Sequence, residues 1–129
     1  AAQGLARIGI SISSEIAFPG QRIYEVVRPL IDLLHMDRSA LQNYEALLAL
    51  TNLAAQSDAV RKRILKGGEA LPRIEEYWYM QEHPELKAAA AELLLNLCHC
   101  EQGRQAMYQV RIYSHYAFLT HHYRRTLIA

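Results

Sequence analysis

The run Leu41–Ala54, LQNYEALLALTNLA, returns 44 residues later as Glu85–Cys98, ELKAAAAELLLNLC. Asn52-Leu53 falls on Asn96-Leu97, and Leu50 falls on Leu94. Upstream, Pro29-Leu30-Ile31 of RPLIDLL falls on Pro72-Arg73-Ile74 of LPRIEEY at a shift of 43. The opening segment Ala1–Ile8 fits the same helix one unit earlier. Co-aligned prolines and a repeated Asn-Leu step separate this pattern from chance likeness between two alanine- and leucine-rich helices. A repeated unit of this size cannot bury its apolar face alone, so the units must stack.

A helical period in the low forties is the armadillo or HEAT signature. The expected fold is all-α, an armadillo-type right-handed α-solenoid (an alpha-alpha superhelix). Armadillo repeats are expected over 1–101: a partial repeat at 1–10, then repeats at about 15–56 and 57–101. Residues 102–129 form an atypical C-terminal segment, expected to be a helical cap or a divergent end. The chain opens AAQGLARI, without Met and in what reads as mid-helix, so a piece of something longer is expected.

Single helices are legible. Ile23, Val26, Val27, Leu30, Ile31 and Leu34 form one apolar stripe at helical spacing. Pro29 lies inside it, so a kink is expected, with the Glu25 carbonyl deprived of its usual donor. Ser57-Asp58 suits the N-cap of a short helix that ends at Lys66 and is closed by Gly67-Gly68. Leu71, Ile74 and Trp78 continue at helical spacing, and His83-Pro84 enforces a turn.

The helix over 41–54 carries the functional reading. Its core stripe is Ala46, Leu47, Leu50, Leu53 and Ala54, and its opposite face holds Leu41, Tyr44, Glu45, Leu48 and Asn52. One repeat on, the core stripe is Ala90, Ala91, Leu94, Leu97 and Cys98. Glu85, Ala88, Ala89, Glu92 and Asn96 lie opposite. In a solenoid such second faces line up into one continuous surface. Asparagine is a poor helix-interior residue because its amide competes for backbone hydrogen bonds. Two of them one repeat apart admit two readings. They form a ladder of amides for an extended polypeptide, or they bond within their own repeat and fix helix packing.

Other chemistries find little support. Fourteen basic residues against thirteen acidic ones leave almost no net field, which argues against general nucleic-acid binding. Two cysteines make no disulfide framework, so an intracellular, cytoplasmic setting is expected. The longest apolar stretch, Ala46 to Ala55, is interrupted and too short for a bilayer, and no membrane role is expected. Cys98-His99-Cys100 with His115, His121 and His122 matches no usual zinc spacing, and Cys98 reads as a buried structural thiol. Glu75-Glu76, Glu82 and Glu85 read as solvated edges, and Arg61-Lys62-Arg63 as an exposed helix face. No catalytic set, phosphate loop, cofactor site or metal site is recognisable, so a protein-binding role, not an enzyme, is expected.

The runs AFPGQRIYEVVRPLIDLLH, LQNYEALLALTNLA and VRKRILK…LPRIEEY resemble the armadillo-repeat UCS domain of myosin-directed chaperones. The resemblance covers about residues 1–97. It implies a cytoplasmic chaperone module whose client is the myosin motor domain. Animal members dock heat-shock protein ninety through a tetratricopeptide domain that this chain lacks. Carried over by position, the protein-binding groove falls on Tyr44, Leu48, Asn52, Glu92 and Asn96. A generic armadillo adaptor binding an extended peptide, without chaperone activity, is the alternative. After Glu101 the resemblance stops. QVRIYSHYAFLTHHYRRTLIA belongs to a stretch with no acidic residue and with Tyr108, Tyr113, Tyr116 and Tyr123, half of the tyrosines. Its arginines are too few to make RNA the preferred partner.

Overall fold

Residues 1–109 are described by the computed structural model, and among them every regular element is helical. The helices are α1 (Ala2–Ser11), α2 (Ser14–Ala17), α3 (Arg22–Glu25), α4 (Val27–Asp32), α5 (Ala40–Ala54), α6 (Asp58–Leu65), α7 (Ala70–Trp78) and α8 (Pro84–Leu97). A further helical stretch, α9, covers residues 101–109. The α5 helix packs between α1 on one side and α8 on the other, as third helices do in an armadillo solenoid. The expectations for residues 110–129, including His115, His121, His122, Tyr113, Tyr116 and Tyr123, lie outside the described residues.

Local chemistry sets the boundaries. Pro29 offers no N–H to Glu25, and the expected kink is a clean break at Val26 that separates α3 from α4. A capping box starts α5: Ser39 Oγ accepts from the Gln42 N–H at 3.1 Å, and Gln42 Oε1 accepts from the Ser39 N–H at 3.2 Å. Ser57 caps α6 by accepting the Val60 N–H at 3.2 Å. Past Leu65 the chain reverses through Gly67 and Gly68 at φ of 81° and 72°, where a side chain would be strained. Pro84 opens α8 at a position that needs no N–H donor.

The seam forms as its spacing requires. Ala46, Leu47, Leu50, Leu53 and Ala54 are buried completely, and Ala90, Leu94 and Leu97 are buried too. Some readings need correction. Tyr77, not Trp78, is the buried aromatic of α7; Trp78 and Leu71 are half-buried. Ala89 is buried although it was placed on the open face, while Ala91 is half-exposed. Cys100 is the buried thiol and Cys98 is half-exposed. Arg61 is no free surface cation: only 12 % of its side chain is exposed, between Asp58 and the backbone of Asn96.

Candidate functional site: the third-helix groove

Polar staples join successive third helices. Asn52 donates from Nδ2 to the carbonyl oxygen of Gly9, near the end of α1, at 2.9 Å. One repeat on, Asn96 donates from Nδ2 to the carbonyl oxygen of Thr51 in α5 at 3.0 Å. Neither amide bonds within its own repeat. Each reaches back one unit to a carbonyl on the neighbouring third helix, so the ladder fixes how the units stack. Among the described residues each amide keeps its Oδ1 and its second N–H without a hydrogen-bond partner.

Around this ladder, Tyr44, Leu48 and Asn52 follow one another at i, i+4 and i+8 along α5. Asn52 is exposed; Tyr44 and Leu48 are half-buried, each offering part of its surface. Glu92 is exposed on α8, and Asn96 is half-buried beside it. The Asn96–Thr51 bond brings Asn96 against α5 beside Asn52, and Glu92 precedes it by one turn of α8. All five residues lie on the third helices α5 and α8.

Further polar contacts tie the same units together. Glu45, assigned from sequence to the open face, is buried and accepts from Arg7 Nε at 2.9 Å, with Gln3 Nε2 at 3.5 Å. Asn43 is buried and donates to the carbonyls of Leu33 and His35 at 2.8 and 3.0 Å, fixing the segment that leads into α5. In the second layer, Arg73 on α7 donates to the Ile31 carbonyl on α4 at 3.0 Å. Arg28 and Glu69 pair at 3.0 Å across the same two units. The side-chain hydrogen bonds between units span 38 to 42 residues, near one repeat, whereas Asn43 reaches back only 10 and 8 to carbonyls that leave no mark in a sequence.

Between α8 and α9, Cys100 Sγ donates to the Leu97 carbonyl and accepts the Gly103 N–H at 3.4 Å. A Cβ on Gly103 would collide with the Leu97 carbonyl, so only glycine lets α9 approach this closely. Burial pushes the Cys98 thiol up, against the opposing pull of Arg104. Burial, then the charge of Glu76, pushes the Tyr77 phenol up to about 12. Among the described residues no group of three His, Cys, Asp or Glu side chains is placed to hold a metal ion. Among them, too, no helix is long and apolar enough to cross a membrane.

The fold defines an armadillo-type α-solenoid segment whose third helices are joined by two amide hydrogen bonds. Over 97 residues the chain is 53% identical to protein unc-45 homolog B of Mus musculus, covering 75% of this chain and 10% of that protein. The corresponding Xenopus laevis protein is 50% identical over 97 residues, with the same coverage. A solved structure of the UNC-45 chaperone, reporting features critical for binding and folding muscle myosin, aligns with a TM-score of 0.76 at 52% identity. It covers 81% of this chain and 12% of that one. The myosin chaperone UNC-45 of C. elegans, in complex with an Hsp70 peptide, aligns at 0.71 with 54% identity, over 78% of this chain and 11% of that one. No family model matches the chain. The chain belongs to the UCS-domain family of UNC-45 myosin chaperones and spans about a tenth of the length of the curated relatives it matches.

Proposed function

We propose that this chain supplies part of the client-gripping groove of a cytoplasmic myosin chaperone and acts by binding, without catalysing a reaction. Its client is the myosin motor domain. Heat-shock protein ninety is engaged only through a domain that lies outside this chain. One observation carries the reading: Asn52 and Asn96 stand on successive third helices, and among the described residues each keeps an acceptor and a donor unused. The unused amide groups have the donors and acceptors that an extended client backbone requires. Tyr44 supplies contact area, as aromatic anchors do at protein interfaces. In this reading the repeats run over about 15–56 and 57–101, and residues 102–129 cap the end or diverge from the family.

Titration of the full chain against a muscle myosin motor domain tests the proposal, with a melting curve for every variant. Tyr44→Ala carries no inter-repeat bond, so it separates binding from stacking. It should weaken binding by about tenfold, the loss of a moderate hot spot, while the melting curve stays close to that of the parent. Glu76→Ala, on the exposed side of α7, should leave affinity unchanged. Wild-type affinity in Tyr44→Ala and Leu48→Ala alike would remove the groove from client binding. Binding without protection of the motor domain from heat aggregation would leave an adaptor in place of a chaperone.

A further inference from the structure

We propose that a second groove, over α6 on the outer layers, docks an extended acidic segment of a partner protein. A cavity of about 810 Å³ opens there among α3, α6, α7 and α9. Tyr24, Lys62, Arg63, Lys66, Leu71 and Glu75 are among its walls, and no residue of α5 or α8 contributes. It is therefore separate from the third-helix groove.

Charge identifies the occupant. Arg7, Arg28, Arg61 and Arg73 each have a carboxylate partner. Lys62, Arg63 and Lys66 are exposed and have none among the described residues. Three like charges within about one turn of a helix repel each other, and an acidic ligand relieves that repulsion. Glu75 is the one carboxylate among the described residues of the lining, and it pairs with none of the three.

Spacing suits an extended chain. Lys62 and Lys66 stand one helical turn apart, a rise of about 6 Å. Alternate residues of an extended peptide repeat at roughly 6.6 Å, so carboxylates two residues apart meet both cations. Leu65, Leu71 and Pro72 supply an apolar floor for a neighbouring aliphatic side chain. The chain's own end has the wrong sign, since residues 102–129 hold four arginines and no acidic residue. RNA is the weaker fit, because the chain as a whole has a net charge of only +1 and offers no extended basic stripe.

The experiment uses the full chain and a labelled peptide that alternates Glu with Leu, followed by fluorescence anisotropy. Binding should fall as salt rises. In Lys62→Gln/Arg63→Gln/Lys66→Gln it should weaken by about tenfold, the summed effect of three exposed ion pairs. Lys66→Gln alone should give a partial loss, and Asn52→Ala none. All three cations are exposed, so unchanged melting is expected and confirms that the variants fold. Equal affinity in the parent and the triple variant, or no binding by the parent, would overturn the proposal. So would tighter binding of polyuridine RNA than of the peptide.

Discussion

Helices α5 and α8 carry the same repeat, yet their equivalent residues meet different surroundings. Leu47 and Ala54 are buried completely, while their counterparts Ala91 and Cys98 are half-exposed. Thr51 is half-buried and ties back to its own helix, whereas its counterpart Leu95 is 67 % exposed. The cause is the neighbour. α5 is covered by α1 and α8, but α8 turns its far face towards a cavity of about 570 Å³ that Trp78, Leu94, Leu95, Met107 and Tyr108 help to line. An apolar stripe specifies which residues are able to be core; a second layer decides which of them are.

Truncating the two central leucines tests this contrast with the largest expected effect. Leu50→Ala leaves a closed void between two packed helices and should cost about 2–5 kcal/mol. Leu94 borders the open cavity, so Leu94→Ala gives up less enclosed contact and should sit at or below about 2 kcal/mol, where side chains relax and water enters. Urea unfolding of both variants measures the difference. Equal losses would mean that α8 is as fully covered as α5, and the contrast would fail.

The same contrast explains what was legible in the sequence. Leu47, Leu50 and Leu53 announce themselves by spacing alone, and the break at Val26 follows from the missing N–H of Pro29. Trp78, Ala91 and Cys98 have equally good helical spacing but no full covering layer among the described residues, which periodicity does not encode. Glu45 was misplaced for another reason: a carboxylate on a helix normally faces water, and only the three-dimensional approach of Arg7 accounts for its burial. The two asparagines stand out because asparagine is conspicuous inside a helix. Their partners, the carbonyls of Gly9 and Thr51, carry no residue signature.

Adjacent aromatics on α7 give the middle-sized effect. Tyr77 faces the interior with its hydroxyl buried and unpaired, while Trp78 faces the end cavity. An unsatisfied buried hydroxyl costs about 1–3 kcal/mol, so Tyr77→Phe should raise stability by roughly 1 kcal/mol. The parent also has an alkaline weakness. The folded phenol ionises at about 12 and the unfolded one at 10.0, so its contribution is fully present below pH 10 and declines as pH rises from there towards 12. Tyr77→Phe should flatten that limb of the stability–pH curve. Unfolding curves at neutral and alkaline pH check both points; a destabilised variant would show that the hydroxyl has a partner.

The smallest effect separates the two asparagines, and it bears most directly on the groove. Both donate to a carbonyl one repeat back, at 2.9 and 3.0 Å, yet Asn52 is exposed while Asn96 is half-buried. A hydrogen bond of this kind contributes about 0.5–1.5 kcal/mol, towards the lower end where water competes for it. Alanine is the better helix former, by up to about 0.7 kcal/mol, which opposes the loss. For Asn52→Ala the two terms should nearly cancel, leaving stability within about 0.5 kcal/mol of the parent. For Asn96→Ala the lost bond should win, with a net cost of about 1 kcal/mol, because Asn96 is the less exposed of the two and water replaces its bond less readily, although the Thr51 carbonyl keeps the Ala55 N–H as a donor. Urea unfolding of the two single variants measures this difference. If Asn52→Ala costs the more, its amide is spent on stacking, and its availability to a client backbone is the weaker part of the groove. With the expected order, Asn52 is the amide freer to engage a client, and its substitution affects binding more than folding.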